Sequence, residues 1–124
     1  MKVGIFTLIA TAFLASAAWA GPADVLAARA AYTGGDTYSF SVTVRHADEG
    51  WQHYADRWEV LAPDGTLLAT RVLLHPHEHE QPFTRDLTGV KIPAQIQAVT
   101  VRAHDSVHGY GGRSVRLELP RRNE

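Results

Sequence analysis

Cysteine is absent from this sequence, and its one methionine is the initiator. Without thiols no disulfide can staple the fold, so packing alone must hold it. No sulfur ligand is available to a metal either, once Met1 is removed. That excludes thiolate zinc clusters and argues against a copper(I) preference. A surplus of one charge is also missing, since 12 Lys and Arg stand against 13 Asp and Glu. This balance gives no electrostatic footing for nucleic acid or an anionic membrane surface as partner. Long apolar runs are missing beyond residue 20, so nothing there is suited to cross a bilayer. Helical periodicity is missing as well, because no 3.6-residue pattern persists for more than a few residues. Neither a Gly-x-Ser-x-Gly nucleophile turn nor a His-Glu-x-x-His zinc helix occurs. The residues favour a binding protein over an enzyme.

The first twenty residues have the pattern of an export signal. Lys2 supplies the positive start and an apolar run extends from Val3 to Ala15. It closes on Ala18-Trp19-Ala20, an arrangement of small residues that signal peptidases cut. Residues 1–20 are therefore expected to be a cleaved signal peptide and 21–124 a single domain. Such a domain of about a hundred residues can enclose one modest core. The expected localisation is periplasmic or secreted.

Within that domain, short strands alternate with turn signals. Tyr38, Phe40, Val42 and Val44 alternate with Ser39, Ser41, Thr43 and Arg45, the pattern of a sheet with one wet face. Pro63-Asp64-Gly65 marks a tight turn between two further strands. Strands are expected over 24–32, 38–46, 54–62, 67–74, 83–87, 96–103 and 115–119. Seven antiparallel strands of this length indicate an all-β, immunoglobulin-like or fibronectin type III-like sandwich, with Trp58 buried in the third.

Strands that run alternately up and down carry every histidine to one end of such a sandwich. His46 and His53 lie between strands two and three. His75, His77 and His79 follow strand four, and His104 and His108 border the loop after strand six. Imidazole is the commonest protein ligand for borderline divalent ions. In His75-Pro76-His77 the two rings share one side of an extended segment, stiffened by proline. His104 and His108 flank a compact turn. Their spacing nominates His75, His77, His104 and His108 as ligands of copper(II) or zinc, with His53, His79, Glu80 and Asp105 as additional candidates. His46 is placed in a solvated loop, Asp56 in an ion pair with Arg57 or Arg45, and Trp51 and Tyr110 as aromatic caps. Two other readings fit the same residues. One is an interaction domain without metal whose loops bind a periplasmic protein or a glycan. The other is a histidine-ligated metalloenzyme.

Three blocks span nearly all of the domain: Gly50-Trp51 with Tyr54-Ala55-Asp56-Arg57-Trp58, then Leu74-His75-Pro76-His77 with Glu80-Gln81-Pro82-Phe83-Thr84-Arg85, then Ala103 through Gly112. They resemble a family of small exported bacterial proteins without established function, which implies no activity. More loosely, Gln52-His53-Tyr54 followed by Trp58, and His108-Gly109, are similar to blocks of superoxide reductase (desulfoferrodoxin). That family is an immunoglobulin-like sandwich binding iron through four histidines and one cysteine. Its cysteine has no counterpart here, so the resemblance implies a histidine site without the thiolate that tunes the iron.

Export should leave a chain beginning at Gly21, as read by intact-mass spectrometry of the exported protein. A soluble species retaining Met1 would contradict the signal assignment.

Overall fold

The computed structural model describes residues 21–122. The expected signal over residues 1–20 lies outside the described residues. Seven strands follow in order: β1 Asp24–Gly34, β2 Thr37–Arg45, β3 Ala55–Leu61, β4 Leu67–Val72, β5 Phe83–Lys91, β6 Ala98–Asp105 and β7 Val115–Glu118. They form two antiparallel sheets, β1-β2-β5 and β4-β3-β6-β7. This is the immunoglobulin-like, fibronectin type III-like sandwich that the strand pattern predicts. Among the described residues no helix is long and apolar enough to cross a membrane.

The core follows from side-chain alternation. Tyr38, Phe40, Val42 and Val44 of β2 point inward, opposite Trp58 and Val60 of β3 and Val99 and Val101 of β6. Apolar area removed from water at about 25 cal/mol per Å² drives the two faces together. The alanines of β1 do form a strand. Ala28 and Ala30 pack against the core, while Ala27, Arg29 and Ala31 face solvent.

β5 is longer than the expected 83–87, because a bulge carries it past Thr88-Gly89. Tyr38 pairs with Val90 and Phe40 with Leu87, so β5 spends one residue more than β2 between those pairs. Gly89 absorbs the extra residue at φ +67°, a conformation other residues rarely adopt. Val90 then returns to the core. β6 is also displaced from the expected 96–103, ending at Asp105. That shift makes Asp105 a strand residue rather than a loop residue.

Strand pairing fixes which loops meet. Arg45 of β2 pairs with Asp24, Val44 with Phe83, and Ala55 with Asp105. The end of β2, the start of β3, the start of β5 and the end of β6 thus share one end of the sandwich. Val72 pairs with Arg57, bringing the end of β4 there as well. The three histidine-bearing loops gather at that end.

Trp58 is fully buried, and its indole N–H has no hydrogen-bond partner among the described residues. Trp58→Ala should destabilise the domain by about 3–5 kcal/mol in denaturant unfolding. Trp58→Phe should cost far less, since it removes an unsatisfied donor along with the lost volume. Equal losses for the two variants would contradict this.

Candidate metal centre

The centre lies where the two sheets meet at this end. Asp105 closes β6 in one sheet, and His46 follows the last residue of β2 in the other. Both are buried, His46 at 3% and Asp105 at 0% exposure. His46 continues the inward alternation of Tyr38, Phe40, Val42 and Val44, so the β2 pleat aims it at the core's edge.

Asp105 uses its two carboxylate oxygens differently. Oδ1 accepts the backbone N–H of Val107 at 2.5 Å and of His108 at 2.9 Å. Oδ2 meets three ring nitrogens: His46 Nε2 at 2.5 Å, His53 Nε2 at 2.8 Å and His108 Nδ1 at 3.2 Å. The opposite nitrogens of the first two rings also face carboxylates. His46 Nδ1 is 2.5 Å from Asp48 Oδ1, and His53 Nδ1 is 2.8 Å from Glu49 Oε1.

A neutral imidazole has one N–H and one lone pair. His46 and His53 each have a carboxylate oxygen at both nitrogens, so a neutral ring would set its lone pair against an anion. Two arrangements relieve this. Either each ring carries a second proton, or a cation sits between the Nε2 atoms and Asp105 Oδ2. One donor atom from each of His46, His53 and Asp105 lies within 4.8 Å of the others. Two rings oriented by carboxylates on their far nitrogens have the outer-shell arrangement of metal-ligating histidines.

The ionisation of the groups agrees with this layout. Burial alone would raise Asp105, but the N–H groups of His108 and Val107 and the rings of His108 and His53 hold it well below the usual carboxylate range. Asp48 is likewise lowered. Burial opposes that shift, while His46 and the N–H groups of His77 and Ala55 outweigh it. Burial pushes His46 down, yet hydrogen bonding to Asp48 and the charge of Asp105 carry it above the ordinary histidine value.

The histidines nominated from spacing are distributed unevenly about this centre. His108 touches Asp105, and His53 is a member of the group. His75 and His77 do approach each other, with ring centroids 4.7 Å apart. Neither belongs to the His46–His53–Asp105 group. His75 is exposed and hydrogen-bonds through Nδ1 to the Pro76 carbonyl. His77 is buried and stacked on Phe83 at 4.0 Å, and its backbone N–H donates to Asp48 Oδ2. His104 lies on the outer face of β6 with Nδ1 2.6 Å from Asp56. Asp56 therefore pairs chiefly with histidine, Arg57 standing farther off at 3.8 Å. His79 and Glu80 are exposed, Glu80 pairing with Arg85.

Three expectations are corrected. His46 is not a solvated loop residue, because the pleat of β2 extends one position further inward. Trp51 does not cap the sandwich, being 65% exposed. Tyr110 covers the outer sheet face instead, with Arg102 over its ring at 3.7 Å and its hydroxyl donating to Glu59.

His77 Nδ1 is buried without a hydrogen-bond partner among the described residues, 3.9 Å from Asp48 Oδ2. Burial, followed by the charges of Arg85 and His75, lowers its pKa. An unfolded chain therefore takes up a proton that folded His77 resists. Stability from this group is lost as pH falls from about 6.5 through the lower folded value. His77→Phe keeps the stack on Phe83 and removes both the orphaned nitrogen and the titration. Metal-free H77F should gain about 1–3 kcal/mol at pH 7 and more at pH 5 in thermal unfolding. A gain that shrinks on acidification would contradict this.

Comparison with known proteins yields one relative. A protein from Halomicrobium mukohataei named "Putative lipoprotein" is 45% identical over 82 residues, covering 66% of this chain and 40% of that protein. The chain thus spans about two fifths of the length of the curated relative it matches. No protein-family model matches the chain, and no solved structure does. The resemblance to superoxide reductase has no counterpart in these comparisons.

Proposed function

We propose that the protein is an exported, periplasmic metal-binding protein that holds a divalent ion between His46, His53 and Asp105. The observation that carries this is the convergence of His46 Nε2 and His53 Nε2 on one buried carboxylate oxygen, with their far nitrogens already on carboxylates. Two imidazoles and a carboxylate, with no sulfur, suit zinc or copper(II). Export is supported by Ala18-Trp19-Ala20 and by the name of the Halomicrobium relative.

Calorimetric titration of tag-free, metal-free protein with zinc and with copper(II) at pH 7.5 tests the reading. At least one ion should bind more tightly than about 10 μM and raise the unfolding temperature, because it binds the native state selectively. His46→Ala and His53→Ala should each weaken binding by more than about 100-fold, beyond the loss typical of outer-shell partners. His75→Ala with His77→Ala separates this ligand set from the one nominated by spacing. Parent-like affinity favours the buried set, and lost affinity favours the spaced pairs. If neither ion binds, the histidines form a hydrogen-bond network alone, and the end becomes a docking surface for a protein or glycan.

A further inference from the structure

We propose that the seam between β4 and β5 carries a binding site for a small tetrahedral oxyanion, phosphate or a terminal phosphoryl group, formed by Arg71, Arg85, His75 and His77. This site does not depend on the metal reading of His46, His53 and Asp105.

The two sheets approach each other at this seam without pairing. β4 and β5 are edge strands of different sheets, and Arg71 spans the gap, its Nε donating to the Asp86 carbonyl at 2.9 Å. Beside this bridge lies a cavity of about 70 Å³, lined by Arg71, Leu73, Leu74, His75, His77 and Arg85. About 10–15 Å³ of such space is enough for one water, so the cavity admits several waters or one small anion.

The polar part of the lining consists of two guanidinium groups and two imidazoles, with no carboxylate. The acidic groups that face these residues stand outside the cavity. Glu80 pairs with Arg85 at 2.9 Å, and Asp48 lies 3.9 Å from His77 Nδ1. A guanidinium has five N–H donors. Arg71 gives one each to the carbonyls of Asp86 and Val72. Arg85 gives two to Glu80 and one to Thr84. Both side chains are thereby held in place, and each keeps donors unspent. Donors fixed in advance lose little freedom when an anion binds.

His77 forms the inner wall. Its Nδ1 lies on the side of Asp48, so Nε2 is the ring nitrogen left for the cavity. Burial, followed by the charges of Arg85 and His75, makes this ring resist a proton. An anion seated among those groups offsets the charges, so the His77 N–H and the anion stabilise each other. His75 stands at the exposed mouth with Nδ1 on the Pro76 carbonyl, and its Nε2 becomes a further donor on protonation. Crowded cations and an unsatisfied buried nitrogen destabilise the empty seam, and a bound oxyanion relieves the crowding. Local conflicts of this kind are kept at binding sites.

Titration of metal-free protein with inorganic phosphate and with glycerol phosphate tests the proposal, at about pH 6.5, where histidine is half protonated. Chloride holds the ionic strength constant. The side-chain N–H signals of Arg71 and Arg85 are followed by NMR, with thermal unfolding in parallel. Phosphate should shift both signals with a Kd below about 1 mM and raise the unfolding temperature. Arg71→Gln and Arg85→Gln should each weaken binding about tenfold or more, through loss of a charge-assisted hydrogen bond. His77→Phe separates binding from folding, because its empty form is expected to be more stable while its phosphate affinity should fall. Tighter binding of inorganic phosphate than of the ester assigns a free ion. The reverse order assigns a phosphoester whose substituent points to solvent. Shifts that do not saturate, or parent-like affinity in the arginine variants or in His77→Phe, would overturn the proposal and leave a solvated cationic seam.

Discussion

The end of the sandwich is organised around one buried carboxylate. Asp105 is brought there by β6, a central strand of the four-stranded sheet, and it has no access to water. An isolated carboxylate in that position would be far too costly to bury. It is stabilised because every lone-pair direction meets a donor or a ring nitrogen. Two come from the turn that follows it, one from His46 just past β2 of the opposite sheet, one from His53 in the β2–β3 loop and one from the His108 ring. The two sheets are therefore joined by apolar packing along their length and by a buried histidine–carboxylate contact at one end.

A second carboxylate extends this network. Asp48 takes His46 Nδ1 on one oxygen and the His77 N–H on the other, and also accepts the N–H of Ala55. Gln81 repeats the connection, accepting the His46 N–H and donating to the His77 carbonyl. The β4–β5 loop is thus fastened by its backbone, at His77, to the residue that faces Asp105. His75-Pro76-His77 contributes to the centre through main-chain geometry, and its imidazoles stand outside the three-residue group.

Much of this was legible in the sequence, and the remainder was hidden for identifiable reasons. Period-two alternation in β2 and the Pro63-Asp64-Gly65 turn were sufficient for the sandwich, and alternating strand direction was sufficient to gather the histidines at one end. The geometry of the candidate centre was less accessible. Local spacing favours pairs such as His75 and His77, but the donors that meet are 59 and 52 residues apart in the chain. Contact across sheets depends on exact strand ends, which propensity sets poorly. One signal was present and pointed the right way. His46 falls on the same alternation as Tyr38, Phe40, Val42 and Val44, and the next inward position after four apolar ones is itself inward. Asp105 carried the same signal, as the next inward position after Val99, Val101 and Ala103, although it lies two residues beyond the expected end of β6.

On the metal reading proposed above, protons and a divalent ion would be interchangeable at this centre in a specific sense. Asp48, Glu49 and Asp105 surround His46 and His53, and each ring faces two of these anions. With both rings doubly protonated, two positive charges stand against three negative ones. With both rings neutral and a divalent ion at the Nε2 atoms, the balance is the same. The outward N–H bonds to Asp48 and Glu49 are also unchanged. Exchanging two protons for one ion therefore alters neither the net charge of the cluster nor the hydrogen bonds that orient its rings. On that reading the site would fold before it is loaded, unlike one whose ligands would repel each other when empty. The cross-sheet contact closes the sandwich at this end and, on the metal reading proposed above, also sets the positions of the donors.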